Sequence, residues 1–293
     1  MTEELSESRR RLRDELLAER TLSTDDFYAR AESRLDWPLS RGLNFSHECC
    51  DRWATDRSRL ALSVHTPEGA VRRWTYYELM RESSALANVF IASGLKRGDR
   101  VAALLDQQVE AYIGAIAAWR AGLVYVPLFV GFGVDGLVNR IDSSGASAVL
   151  VDHRHRDILA KVQESLTAKP TVFTVSDGSG PPASDVDMWE AMNAASHEHE
   201  MVVTQPDEVG TLIYTSGTTG NPKGCLHTYG AMTIQLQSFL RHVMALGPED
   251  VVFGGANPGW SYGLYAVGLG VQSLGGGCRI AVRKPDPTRS RDR

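Results

Sequence analysis

The 293-residue chain is 43% hydrophobic, 23% charged and 8% aromatic, the make-up of a globular protein of one or two domains and not of a disordered one. Its 31 basic and 36 acidic residues leave a net charge of −5. No global positive field is available to hold nucleic acid or an anionic membrane surface, which excludes polyanion binding as the main role.

The amino terminus, MTEELSESRRRLRDELLAER, is acidic and then basic, and it lacks the apolar core of a secretory signal. The spacing of Leu5, Leu12 and Leu16 predicts a short solvated helix, and the composition a cytoplasmic protein. Cys49, Cys50, Cys225 and Cys278 fit neither a zinc pattern nor CxxC and are read as reduced packing residues. Two apolar stretches, Ala111 to Val134 and Val251 to Gly277, are interrupted by Pro127, Asn257, Pro258 and many glycines. Buried strands and helices account for them better than a membrane span does.

From Asn44 the pattern alternates between helical and strand periods. LALSVHT and VRRWTY, joined by a turn at Pro67 to Gly69, predict a hairpin. A helix from Tyr76 to Ser93 ends at Gly94, and the strand VAALL follows. Then come a helix from Val109 to Arg120, the strand VYVPLFV, a helix from Asp135 to Asp142 and the strand ASAVLVD. Such a β-α-β-α-β run implies a mostly parallel sheet covered by helices, an α/β fold of layered sheets and helices. A basic helical stretch from Arg154 to Thr167, the strand TVFTV and an exposed loop, SDGSGPPASD, complete this part. A second sheet is expected to begin near Val203, with a helix from Tyr229 to Met244 and the strands VVFGG and CRIAV. The predicted organisation is a helical extension over 1–43, a first α/β subdomain over 44–202, the start of a second over 203–282, and an irregular tail over 283–293.

Thr211 to Gly224 reads TLIYTSGTTGNPKG. A strand opens into Thr215, Ser216, Gly217, Thr218, Thr219 and Gly220, followed by Asn221, Pro222 and Lys223. Such a turn suits phosphate: glycines let successive backbone N–H groups turn inward, hydroxyls donate further bonds, and Lys223 adds a compact positive charge. The spacing is not that of the Walker-type loop, GxxxxGK[ST], because Gly224 stands where that loop has a hydroxyl residue.

The string TSGTTGNPKG resembles the phosphate-binding signature of the adenylate-forming superfamily. DWPLSRGLNFSHECCDRWA, RWTYYEL, LANVF, GLKRGDRVAALL and VPLFVGFGVDGLVNRIDSSGASAVLVD resemble its short- and medium-chain acyl-CoA synthetase branch, acetyl-CoA synthetase included. The likeness runs from Asp36 to Lys284. It implies that Thr215 to Gly220 and Lys223 grip the β- and γ-phosphates of ATP, with Mg2+ sharing the charge, while a small-molecule carboxylate attacks the α-phosphate. Coenzyme A then accepts the acyl group. By the same resemblance NPGWSYGLY begins the acyl pocket, with Trp260, Ser261 and Tyr262 as wall candidates. Asn257 departs from the acidic residue usual there, and a large aromatic at Tyr262 favours an acid other than acetate. His227 resembles a histidine common at that place in the branch, although a lone histidine is more often packed core. Arg154 and Arg156 stand where relatives place arginines near the coenzyme A phosphates.

The family's magnesium-binding glutamate, ribose-binding aspartate, hinge and catalytic lysine follow the stretch seen here, so the resemblance assigns no catalytic residue and no metal ligand within this chain. With the tail RKPDPTRSRDR it predicts a truncated or frameshifted front portion of the large domain, unable to complete adenylation alone. Two rival readings stand beside it. GFGVDG, with Gly131, Gly133 and Gly136 ahead of Asp152, matches a dinucleotide fingerprint. A non-catalytic nucleotide-binding remnant would expose open sheet edges and apolar surface.

Overall fold

A computed structural model describes residues 2–33, 42–215 and 222–282. Helices α1 (Thr2–Glu19) and α2 (Thr24–Ser33) open the chain, and α3 (Phe45–Cys49) follows. The expected hairpin is formed by β1 (Leu60–His65) and β2 (Val71–Thr75), paired antiparallel. Helix α4 (Tyr76–Ala92) starts where the sequence places it because Thr75 caps it: its hydroxyl accepts from the Glu78 N–H, and the Glu78 carboxylate accepts from the Thr75 N–H at 2.7 Å. This reciprocal box satisfies two N–H groups that a helix start leaves orphaned.

The β-α-β run follows as β3 (Arg100–Leu104), α5 (Val109–Arg120), β4 (Val124–Pro127), α6 (Val134–Ser144) and β5 (Ala148–Asp152). Gly145 ends α6 at φ 58°, a left-handed cap that costs other L residues about 1–2 kcal/mol. Next come α7 (Arg156–Ser165), β6 (Thr171–Val175), β7 (Val186–Asp187) and α8 (Met188–Ala194). The remainder holds β8 (Val209–Thr215), β9 (Lys223–Thr228), α9 (Tyr229–Ser238), β10 (Val251–Phe253), α10 (Gly270–Ser273) and β11 (Gly277–Ala281). Wider π-helical turns extend α9 over Phe239–Val243 and lead into α10 over Tyr262–Leu269.

Among the described residues, seven strands form one sheet in the order β7-β6-β5-β3-β4-β8-β9, parallel except for β9, and four form another in the order β10-β11-β1-β2. This corrects the expected second sheet. Strand β8 joins β4, with Tyr125 opposite Thr211, and β11 joins β1, with Leu62 opposite Cys278. Both sheets therefore take strands from either side of residue 203.

Alternation along the strands decides the layers. Val101, Ala103, Tyr125, Ala148 and Leu150 face a core shared with α4, α5, α8 and the four-stranded sheet. Ala102, Leu104, Val124, Val126, Val149 and Val151 face α6 and α7. Every residue of α5 except Glu110 is buried, which explains the apolar run beginning at Ala111. No helix among the described residues is long and apolar enough to cross a membrane. At the centre Trp119 packs 5.0 Å from Phe45 and 6.1 Å from Tyr265, and its indole N–H donates to the Gly210 carbonyl at 2.8 Å.

Two further expectations change. Cys49, Cys50 and Cys278 are buried packing residues, but Cys225 is exposed on β9. Helix α1 is not wholly solvated: the Glu19 side chain is buried, 3.3 Å from His242 and 3.1 Å from Arg30, and Glu15 meets Arg241 at 3.0 Å.

Candidate functional site

The phosphate-type turn connects the antiparallel strands β8 and β9. The register sets Tyr214 opposite Gly224 and Thr215 opposite Lys223. A Cβ on Gly224 would first meet the far end of the Leu212 side chain, Cδ1 at 2.7 Å, which would have to shift. Thr215 donates its hydroxyl to the Lys223 carbonyl at 3.4 Å, and both side chains are exposed. Ser216, Gly217, Thr218, Thr219 and Gly220 lie outside the described residues. The turn leaves the carboxyl end of a strand in a parallel sheet, where open α/β sheets bind ligands.

A cleft of about 300 Å³ lies at the other end of this strand pair, where His227 stands opposite Thr211; it is lined by His227 of β9, Met232, Gln235 and Leu236 of α9, Phe239, and Ser261, Tyr262, Tyr265 and Ala266. Two of the three wall candidates, Ser261 and Tyr262, are thus brought together with His227. Trp260 lies elsewhere: it is 44% exposed and packs 5.2 Å from Phe129 and 6.0 Å from Phe132. Burial pushes His227 below the usual imidazole range, which keeps it neutral near pH 7. Tyr265 donates to Thr211 Oγ1 at 2.5 Å and ties the cleft wall to β8.

The turn that precedes this wall hangs on the segment after β3. Gln107 donates from its amide to the carbonyls of Gly254 (2.7 Å) and Ala256 (2.6 Å). Asn257 donates to the Asp106 carboxylate and accepts from the Gly259 N–H at 2.8 Å. A Cβ on Gly263 would lie 2.1 Å from the Asn257 carbonyl, so the wall helix can start this close only at a glycine. Sequence reading passed over Asp106 and Gln107; their one signal is a polar pair directly after a buried strand.

The other candidates are engaged locally. Arg154 spans Asp152 (2.7 Å) and Gln108 (3.0 Å), and Arg156 holds Asp185 at 2.5 Å. The Asp152 carboxyl, which a dinucleotide reading would offer to a ribose, is occupied by Arg154. Burial alone would raise it, but these hydrogen bonds hold it below its ordinary value. Of the GFGVDG glycines, Gly131 makes room for the Phe129 ring and Gly136 sits against the Arg140 guanidinium. The middle glycine, Gly133, has open space around it, so side chains fill only the two outer positions. Among the described residues no group of three or more His, Cys, Asp or Glu could hold a metal ion.

The AMP-binding enzyme family model matches residues 49–292. The chain belongs to this family. It is 31% identical over 245 residues to an acetyl-coenzyme A synthetase of Syntrophobacter fumaroxidans, and 31% over 259 residues to acetyl-coenzyme A synthetase 2 of Saccharomyces cerevisiae. These matches cover 78% and 81% of this chain and 38% of each relative. Among solved structures, an acyl-CoA synthetase of Brucella canis superposes with a TM-score of 0.81 at 30% identity, covering 92% of this chain and 47% of that one. ATP-bound MatB from Rhodopseudomonas palustris gives 0.68 at 27% identity over 85% of this chain and 46% of its own. The chain thus spans about two fifths of the length of these curated relatives and under half of the solved structures. The mixed α/β architecture of layered parallel sheets and helices is that of these acyl-CoA synthetase neighbours.

Proposed function

We propose that this chain carries the ATP-phosphate grip and one wall of the acyl site of an AMP-forming acid:thiol ligase. The observation that carries the reading is the Thr215–Lys223 closure at the carboxyl end of β8, with an apolar cleft on the same strand pair at His227, opposite Thr211. A carboxylate oxygen would attack the α-phosphorus of ATP; the bond to the β-phosphate bridge breaks, and pyrophosphate leaves. The thiol sulfur of coenzyme A would then attack the acyl carbon and release AMP. In the first step Thr215, the hydroxyls and N–H groups of the turn, and Lys223 hold the departing pyrophosphate in line and offset its charge. Mg2+ bound to the phosphates would supply further charge neutralisation.

The cleft favours an acid with a hydrocarbon body. Its lining includes Met232, Leu236, Phe239, Tyr262, Tyr265 and Ala266, and His227 is kept neutral. Its volume is about ten times the share of one water in the liquid, which is room for a chain of several carbons or an aromatic ring. Calorimetry of ATP and pyrophosphate with the purified chain, with carboxylate-dependent exchange of labelled pyrophosphate into ATP, tests the reading. Competitive binding of both anions without exchange is expected of this chain on its own, and absence of binding would overturn the phosphate site.

A further inference from the structure

The side chains that line the cleft fall into two sets. Most are exposed or half-buried, His227, Phe239 and Tyr262 among them, and form its mouth. Met232, Tyr265 and Ala266 are buried, at 2%, 4% and 7% exposure, and close its inner end. Exposed side chains change rotamer readily, so the mouth sets no firm limit on what enters. The inner end does.

Tyr265 is the member of that end held from two directions. Its ring packs 6.1 Å from the fully buried Trp119, which itself packs against Phe45 and Tyr125 at 5.0 and 6.3 Å. Its hydroxyl donates to Thr211 Oγ1 at 2.5 Å, and the fully buried Thr211 also accepts from the Trp119 indole at 3.3 Å. Burial pushes the phenol well above its usual range, so the O–H remains a donor. Displacing the ring would strand that buried donor and press into packed aromatic core, and both are costly. Met232, by contrast, has an unbranched, adaptable side chain, and Ala266 is small.

We propose that Tyr265 is a specificity-determining residue, a fixed ring at the inner end of the cleft that limits how far the hydrocarbon end of the acid can reach into the protein. This rests on the reading of the cleft as the acyl site given above. The substrate class is then a monocarboxylate with a compact hydrocarbon body that ends short of the Tyr265 ring, and longer homologues are rejected.

Butanoate, hexanoate, octanoate and decanoate titrated calorimetrically into the full chain, Tyr265→Leu and Tyr265→Phe test this. Wild type is expected to bind more tightly as the acid lengthens and then to lose affinity beyond a limiting length. Tyr265→Leu should move that limit up by at least one member of the series and bind the first acid that wild type rejects at least tenfold more tightly. Tyr265→Phe keeps the ring and should keep the limit. The same limit in wild type and Tyr265→Leu, the absence of any limit in wild type, or a limit moved as far by Tyr265→Phe as by Tyr265→Leu overturns the proposal and leaves the acyl cleft standing. No binding of any of these acids by wild type overturns both. Should Tyr265→Leu not fold, proton spectra of wild type with the longest acid that binds decide: nuclear Overhauser contacts must join its terminal methyl to the Tyr265 ring, and their absence overturns the proposal.

Discussion

Asn257 donates from its side-chain amide to the Asp106 carboxylate at 3.0 Å, so the turn that begins the cleft wall is fastened to the end of the central strand. The departure from an acidic residue at this place has a local reason: the partner is itself acidic. Asn257→Asp would set two carboxylates at hydrogen-bonding distance, and one of them would have to take up a proton or swing away. We expect a loss of about 1–3 kcal/mol at pH 7, partly regained near pH 5, read from melting temperatures at the two pH values. An equally stable variant at pH 7 would show that the bond does not hold the turn.

Lys223 is exposed and belongs to an edge strand. Lys223→Ala should leave stability within about 0.5 kcal/mol of wild type. Pyrophosphate affinity should nevertheless fall at least about tenfold, the equivalent of about 1.4 kcal/mol. Calorimetry beside a thermal melt separates the two effects, and unchanged affinity would remove Lys223 from the site.

The Arg120–Asp51 pair fixes α5 to the turn after α3. Arg120 Nη1 donates to Asp51 at 2.9 Å, with a second, shorter bond from Nη2. Asp51→Ala strands a buried guanidinium and should cost about 3–5 kcal/mol in chemical denaturation. Replacing both partners by apolar residues should cost much less, and a double-mutant cycle would show it.

Acid should destabilise the fold in two stages. Burial pushes His155, His199 and His227 below 6.5. Below that pH the unfolded chain binds more protons than the folded one, so stability is full above 6.5 and declines as pH falls through the lowered folded values. For Asp152 and Asp185 burial would raise the carboxyls, but hydrogen bonds from Arg154 and Arg156 outweigh it and hold them below 3.8. Their contribution is complete above 3.8 and is lost as pH drops further. Melting temperature should therefore fall from pH 7 to 5 and again below 4; a rise on acidification from pH 7 would contradict the assignment.

The local half of the fold is legible in the sequence. The β1–β2 hairpin, α4 with its stop at Gly94 and the run from β3 to β5 lie where periodicity and stop signals put them, because those signals act over a few residues. Pairings between distant segments are not encoded so locally. Nothing in LALSVHT marks GCRIA as its neighbour, and nothing in TLIYT marks VYVP. Strand β9 was missed because it is an exposed edge whose apolar side chains have no sheet face to cover. Helix α8 follows a Gly- and Pro-rich loop and shows only the Asp187 cap. At the site, composition exposed the turn, but the fold alone sends Trp260 onto Phe129 and Phe132 while Ser261 and Tyr262 reach the cleft. Arg140 reads as one more helical arginine until three dimensions show no carboxylate facing it among the described residues.

The pairing of β1 with β11 also shapes how the protein is made. The hairpin of β1 and β2 emerges early from the ribosome, yet the other edge of β1 has no neighbour until residue 281 has been synthesised. At about 5–20 residues per second that wait lasts about 10–40 s, with an apolar strand edge open throughout. Contacts this distant along the chain also slow the search for the native state. The nascent polypeptide should therefore depend on holding chaperones during synthesis far more than the finished one does afterwards.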